Sequence, residues 1–262
     1  MIHTAAQPRW PRFASPVWAM GFVVPASLLA LWSLTTQLGW LSPQVLPAPS
    51  EVAGALHDLA ASGDLARNAG ISLLRVVEGF AAGAALGLLL GIAMGLSEAA
   101  EDCIKPLFTA FAQVPTLGWI PLLMLLVGIG EPLKVLVIAK AAFVPVTLNT
   151  YQGIRAVPSL YREVGALFRF SRWQVLHKIV LPAAVPPIFT GLRYGLTHAW
   201  NALVAVELLA SAEGLGYLLV WGRQMFWLDT MMGAMLVIGV VGFVLDRVMA
   251  ALEARLLRWR AA

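Results

Sequence analysis

The side chains best suited to chemistry in this sequence are charged and polar groups set within long apolar stretches. Lys140 lies in one such stretch, and His198, Asn201 and Glu207 lie in another. Charges inside membrane spans are costly, so they usually face protein or a water-filled path. Two interpretations are open: Lys140 and Glu207 form a buried ion pair, or these groups line a path in which Lys140 attracts an anion. The candidate path residues are Lys140, Asn201 and Glu207.

Other kinds of chemistry lack their usual motifs. The sequence has no glycine-rich loop ending in Gly-Lys-Ser/Thr, no His-Glu-x-x-His, no Cys-x-x-Cys and no Gly-x-Ser-x-Gly. Its single cysteine, Cys103, excludes an internal disulfide. We therefore expect no catalytic, cofactor or metal site and no enzymatic activity, and any use of ATP would need a separate subunit. Arg75 and Glu78, three residues apart, are expected to pair along one helix.

Composition places these groups in a membrane. The chain has 262 residues, of which 60% are hydrophobic and 12% charged, and a soluble domain cannot hide that much apolar surface from water. We predict an all-α polytopic membrane protein with about six spans of roughly 20 residues, the length that crosses a bilayer core of about 30 Å. Five spans are the alternative, because charges interrupt the fourth and fifth. The predicted spans are residues 17–38, 76–97, 107–130, 133–150, 188–209 and 231–252.

Lysine and arginine fall mainly on one side of this six-span topology, and that side is predicted to be the cytoplasm. The net charge of +4 follows from this topology and does not indicate nucleic-acid binding. An uncleaved first helix is favoured over a signal peptide, because its apolar run is long. The predicted organisation is a cytoplasmic amino-terminal segment at 1–16, a membrane domain at 17–252 and a basic cytoplasmic tail at 253–262.

Residues 155–187, called here the basic segment, interrupt the apolar sequence. They hold five of the eighteen Lys and Arg residues against one acid, Glu163. A first-turn proline, Pro158, and apolar residues on one face predict a short amphipathic helix. Ser171 with Gln174 fits a capping box that starts a second short helix, predicted to end at Leu181-Pro182. On composition alone, a helix pair lying on lipid headgroups and one docking a cytosolic partner fit equally well. The apolar face of the first helix has Leu160, Val164, Leu167 and Phe168.

The second predicted span carries a glycine at every fourth position. Such a register puts a groove along one helix face, into which another helix can pack closely. We expect tight helix packing, with a subunit interface or part of a translocation path as alternatives. The glycines are Gly79, Gly83, Gly87, Gly91 and Gly95.

The order of residues in the basic segment resembles the cytoplasmic EAA loop of ATP-binding-cassette (ABC) importer permeases. Glu163 holds the position of the glutamate, and residues 179–186, Ile-Val-Leu-Pro-Ala-Ala-Val-Pro, match the hydrophobic-Leu-Pro ending of that loop. Further segments resemble the subfamily of sulfonate, taurine and nitrate importers. These segments are 46–52, 72–76, 143–150, 171–174 and 214–217.

The resemblance implies a permease subunit with the type I ABC importer transmembrane fold and a cytoplasmic coupling helix, in a bacterial inner membrane. It implies import of a small polar solute, preferentially an anion such as a sulfonate, taurine or nitrate. The implied partners are two cytoplasmic ABC ATPase subunits, an extracytoplasmic solute-binding protein, a second copy of the chain and membrane lipid. A secondary transporter or channel working without an ATPase is the alternative. The ATPase-docking residues implied by the loop are Arg162, Glu163, Val164, Gly165, Arg169, Ser171, Arg172, Leu181 and Pro182.

The basic segment departs from the EAA pattern at two places. Val164-Gly165 stands where Ala-Ala is usual, and Arg169 stands where a glycine is expected. That glycine permits a bend between the two short helices, and an arginine resists the left-handed conformation that such a bend can require. We therefore expect either that the turn is made differently, for example one residue earlier or later, or that the loop docks with altered geometry.

Overall fold

A computed structural model describes residues 17–42 and 44–257 of the chain, without the side chains at 17–20, 159, 162, 164, 166 and 172. The described residues form helices joined by short turns, with no strand among them. The helices are α1 (Val17–Gln37), α2 (Pro49–Ala61), α3 (Asp64–Leu96), α4 (Glu98–Gln113), α5 (Ile120–Val127), α6 (Glu131–Arg155), α7 (Ser159–Leu167), α8 (Arg172–Val175), α9 (Leu181–Ala210), α10 (Leu215–Gln224) and α11 (Leu228–Leu256). The predicted segment 1–16 and the last five residues of the predicted tail lie outside this description, and α11 continues past residue 252 into that tail.

Four helical stretches are long and apolar enough to cross a membrane by themselves. They are α3, α6, α11 and the run Trp173–Ala210 that includes α9. A fifth span arises if α4, a 3₁₀ turn at Thr116–Trp119 and α5 are counted together. The first predicted span coincides with the apolar helix α1. This helix is not among the four or five spans counted here, so the total of six stays a prediction.

The third predicted span is not the continuous helix that we expected over 107–130. It is broken between α4 and the 3₁₀ turn by a bend of 91°. Pro115 explains the break, because the residue before a proline is driven out of the helical region. Val114 accordingly has extended dihedrals, φ −77° and ψ 116°.

The second short helix of the basic segment does not end at Leu181-Pro182, and that prediction was wrong. Helix α8 passes through a π-helical turn at Leu176–Val180 directly into α9. The amide of Leu181 donates to the Leu176 carbonyl, five residues back. This wider turn immediately precedes Pro182, whose ring would otherwise crowd the carbonyl four residues earlier. The predicted fifth span therefore begins in the basic segment itself.

Helices α3, α6 and α9 form the centre of the bundle. Val76 of α3, Ile138 of α6 and Leu203 of α9 belong to one buried apolar cluster, which α10 and α11 extend. All five glycines of the α3 register meet α6. A Cβ atom at Gly79 would lie 2.6 Å from Ile138, and one at Gly91 would lie 2.7 Å from Thr150. The glycine face of α3 is therefore where α6 packs.

Candidate docking loop and membrane cavity

The two short helices of the basic segment form a hairpin whose second arm begins with a capping box. The Ser171 amide donates to Gln174 Oε1 at 2.8 Å, and the Gln174 amide donates to Ser171 Oγ at 3.3 Å. Both bonds satisfy amides that a helix start leaves without partners. The sequence prediction of this cap is confirmed.

The bend of the hairpin is made at Arg169 itself. Arg169 has φ +54°, in the left-handed region, and the Phe170 amide donates to the Gly165 carbonyl at 2.9 Å. A left-handed residue followed by such a six-to-one bond is the Schellman ending of a helix, a position that favours glycine. The turn is therefore not shifted by one residue, because Arg169 itself adopts the left-handed conformation that favours glycine. The alternative, docking with altered geometry, stays a prediction.

Gly165 lies where the two arms of the hairpin touch. A Cβ atom there would lie 3.1 Å from the side chains of Val175 and Ile179. The position is buried and admits only a very small residue without movement of the second arm. The EAA pattern has alanine at this position, and both alanine and glycine are small enough for the contact between the arms.

Several large apolar side chains are exposed on the hairpin. Leu167 and Phe168 at the end of α7 are 83% and 70% exposed, and Leu160 and Trp173 are also exposed. A cluster of large exposed apolar side chains typically marks a surface that contacts another protein or a membrane.

The expected docking residues divide into three groups in the structure. Glu163, Arg169 and Ser171 are exposed on the hairpin, whereas Gly165 is buried and Leu181 and Pro182 are half-buried. Three others lie in α7 and α8, but their side chains are outside what the structure describes: Arg162, Val164 and Arg172.

An ion cluster that the sequence did not reveal lies at the opposite end of the bundle, with Arg75 and Glu207 buried and Glu131 at its exposed edge. Arg75 of α3 donates to Glu207 of α9 at 2.7 Å and holds both carboxylate oxygens of Glu131, at 2.6 and 2.7 Å. Lys134 donates to Glu131 at 2.8 Å. The predicted pairing of Arg75 with Glu78 is therefore wrong, and so is the interpretation of Lys140 and Glu207 as an ion pair. A guanidinium can bridge two carboxylates on separate helices, which a rule for neighbours on one helix does not anticipate.

The Glu207 carboxylate also anchors the turn before α10. Ser72 Oγ donates to it, and the Gly216 amide donates to its Oε2 at 2.9 Å. A Cβ atom at Gly214, which has φ +112°, would collide with the same carboxylate. Glycines at 214 and 216 thus permit the close approach of backbone to Glu207.

The three candidate path residues are not brought together. Glu207 is enclosed in the ion cluster. Asn201 borders a cavity of about 380 Å³ beside the ion pair of Arg193 and Asp246. Lys140 borders a different cavity, of about 550 Å³, between the break in the third span, α6 and α9.

The comparisons with known proteins agree on one family. Residues 83–258 match the binding-protein-dependent transport system inner membrane components. The chain belongs to this family. It is 37% identical over 243 residues to a putative aliphatic sulfonates transport permease of Bacillus subtilis (strain 168), covering 93% of this chain and 88% of that one. It is 33% identical over 256 residues to a taurine transport system permease of Escherichia coli (strain K12), covering 96% and 92%.

Solved structures show that the permease has the type I ABC importer transmembrane fold. The methionine ABC transporter MetNI, in an inward-facing conformation, matches with a TM-score of 0.58 and 16% identity over 70% of this chain and 92% of that one. An amino acid ABC transporter with histidines matches with a TM-score of 0.56 and 15% identity, over 73% and 91%. Together with the family match and the similarity to transport permeases, this fold makes the chain the multi-pass permease subunit of an ABC importer.

The start of the basic segment is fixed to the permease bundle by a second cluster that the sequence did not reveal. Arg155, the last residue of α6, pairs with Glu101 of α4. Lys105 donates to Glu101 and to the Tyr151 hydroxyl, each at 2.8 Å. Glu98 and Glu101 of α4 are thus partners of basic residues on α4 and α6.

Proposed function

We propose that this permease imports a small organic anion of the sulfonate class, with ATP hydrolysed by separate subunits. The observation that carries the proposal is the similarity to the sulfonate and taurine permeases, each over more than 90% of this chain. Nitrate, a small inorganic anion, is the alternative solute. The absence of a phosphate-binding loop in the sequence fits an ATPase on another chain.

The hairpin of the basic segment is the proposed docking site for the ATPase. Its exposed apolar side chains offer contact area, and its basic residues with Glu163 offer charge pairs at the rim. ATP binding by the ATPases would favour one of two permease conformations through contacts that differ between them. The continuous helix from Trp173 would carry that change into the membrane.

The proposed assembly contains two copies of the permease, two ATPase subunits and an extracytoplasmic solute-binding protein in a bacterial inner membrane. The charge asymmetry supports cytoplasmic termini and a cytoplasmic basic segment. This orientation leaves the turn between α10 and α11 on the outside, where a binding protein could deliver solute. The permease is also proposed to contact membrane lipid and not to bind nucleic acid.

The test is uptake of labelled taurine by proteoliposomes that contain the permease with its proposed ATPase and solute-binding protein. We expect uptake only with enclosed ATP. Glu163→Lys reverses the one acidic charge of the hairpin and should lower both uptake and ATPase co-purification by about tenfold, since a lost charged contact at an interface is worth about 1–3 kcal/mol.

Asp102→Lys is the matched control, because Asp102 is exposed and acidic but lies on α4 and not on the hairpin. It should leave both readouts near the parent values. Uptake that persists without the ATPase would favour a secondary transporter or channel. Equal co-purification of Glu163→Lys and Asp102→Lys would remove Glu163 from the docking site.

A further inference from the structure

We propose that the cavity beside Lys140 is a site inside the permease that recognises the anionic group of the solute, with Lys140 Nζ as the attracting charge. The inference deepens the proposed function, on which it rests, by naming the residue that favours a negative solute in the membrane. Three independent observations support it.

The first observation is the chemistry of the cavity wall. The cavity has a volume of about 550 Å³, within the usual range for small-molecule sites. Its polar lining residues come from the span break, α6 and α9: Thr116, Lys140, Asn149, Tyr194 and His198. Hydroxyl, amide and ammonium groups are donors that suit the oxygens of a sulfonate.

The second observation is the unbalanced charge of Lys140. Its Nζ donates to the Val114 carbonyl at 2.6 Å and to Thr116 Oγ1 at 3.3 Å, both neutral groups. The Phe111 ring, whose centroid is 5.4 Å from Nζ, is a further neutral neighbour. An ammonium has three N–H donors, and only two of them have an oxygen partner here, so the third can turn to an anion. No carboxylate of the described residues lies within 4.0 Å of it, whereas Lys134 on the same helix pairs with Glu131. An ammonium at membrane depth without an acid partner attracts anions.

The third observation is the break in the third span, whose open backbone lines the same cavity. Non-helical backbone at membrane depth is tolerated only where protein covers it or where it lines a water-filled space. Residues 114–116 border the cavity, and the Val114 carbonyl left free by the bend is the group that Lys140 contacts. Broken spans recur at the solute sites of transporters for this reason.

The test measures local charge selectivity and needs neither the ATPase nor the binding protein. In a Cys103→Ser background, Val144→Cys puts a thiol on the cavity wall one helical turn from Lys140. Two methanethiosulfonate reagents of similar size are compared, one carrying an ethylsulfonate and one an ethyltrimethylammonium group. In each case the thiolate forms a mixed disulfide and methanesulfinate leaves. The ratio of the two rates cancels effects of Lys140 on the thiol itself.

We expect the sulfonate reagent to react faster, and Lys140→Gln to lower the rate ratio by about tenfold or more, given the strength of a charge pair at roughly 6 Å in a site of intermediate dielectric. Lys140→Arg keeps the charge and should keep the ratio. An unchanged ratio in Lys140→Gln, or an equal loss in Lys140→Arg, would overturn the assignment.

A second measurement leaves Lys140 in place, in case its substitution disturbs folding. Ethanesulfonate should slow modification of the Val144→Cys thiol by the uncharged methyl methanethiosulfonate, and uncharged ethanesulfonamide should not. Equal protection by the two compounds, or none by either, contradicts an anion site. Selectivity at the thiol without taurine uptake by the assembled importer would contradict the proposed function and leave the anion site standing.

Discussion

Arg169 shows how a single residue can hold a turn that its type disfavours. The left-handed conformation costs a residue with a Cβ roughly 1–2 kcal/mol. Here the six-to-one bond from Phe170 to Gly165 and the capping box at Ser171 hold the chain on both sides of it. The Arg169 side chain itself is exposed. The hairpin keeps its shape, and the cost is backbone strain at this residue.

Removing that cost should strengthen the bend. We expect Arg169→Gly to slow hydrogen exchange of the Phe170 amide by about fivefold, as relief of about 1 kcal/mol implies. Arg169→Val should speed exchange, since a β-branched residue resists positive φ even more. Hydrogen-exchange mass spectrometry of the purified permease measures both.

Arg169→Asn separates strain from charge, because asparagine tolerates the left-handed region without a positive charge. It should exchange more slowly than the parent, as Arg169→Gly does. If Arg169→Val exchanged at the parent rate, the strain at this position would have no measurable consequence.

Local residue patterns were predictable from sequence, and distant pairings were not. Ser171 and Gln174 form the predicted cap because all its atoms lie within one helical turn. The partner of Arg75 is Glu207, 132 residues away, and nothing in the spacing to Glu78 indicates it. A sequence shows that Glu207 and Lys140 need partners, but only packing decides which groups reach them.

At the scale of helices, the contact of α3 with α6 depends on a face without side chains. A Cβ atom at Gly83 would fall on the backbone carbonyl of Ala139, which cannot rotate away. At Gly70, on the same helix, the added atom would meet nothing within 4 Å. The two glycines therefore have different roles despite their common helix.

We expect Gly83→Ala to destabilise the permease, because overpacking costs about 1–3 kcal/mol and exceeds the gain of about 1 kcal/mol from helix propensity. The midpoint of thermal unfolding in detergent should fall by several degrees, at roughly 2–4 °C per kcal/mol. Gly70→Ala is the matched control and should raise the midpoint or leave it unchanged. Equal unfolding midpoints for the two variants would contradict the packing role of the glycine face of α3.

The apolar pattern of the sequence was sufficient to predict which segments are helices. It was not sufficient to predict at which prolines a helix ends. Pro115 breaks a span that composition alone makes continuous, and Pro182 lies in a helix that the same rule would end. A π-helical turn precedes Pro182 and none precedes Pro115, but Pro106 and Pro145 lie inside helices without one. Proline rules give the local strain but not whether the preceding turn widens to accept it.

For the whole molecule, the ordered set of short motifs was sufficient to predict the family and the fold, because it spans most of the chain. The sidedness of the bundle rests on charge asymmetry alone. The sole cysteine provides a direct way to measure it. Cys103 is exposed on α4, next to the loop predicted to be cytoplasmic.

We expect a membrane-impermeant maleimide to label Cys103 in inside-out vesicles and not in intact spheroplasts. Cys103→Ser with Ser62→Cys moves the thiol to an exposed position on the other predicted side, and the pattern should invert. Labelling of Cys103 in intact spheroplasts would reverse the proposed orientation.

The continuous helical stretch from Trp173 to Ala210 connects the hairpin directly to the far side of the bundle. Its 38 residues extend about 57 Å at 1.5 Å per residue. One end of this helix lies in the exposed hairpin. Near its other end, Glu207 accepts hydrogen bonds from Arg75 of α3 and from the Gly216 amide at the start of α10. The stretch contains a π-helical turn and three prolines but no break like the one at Pro115, so a tilt of the hairpin would also move Glu207 and strain its bond to Arg75.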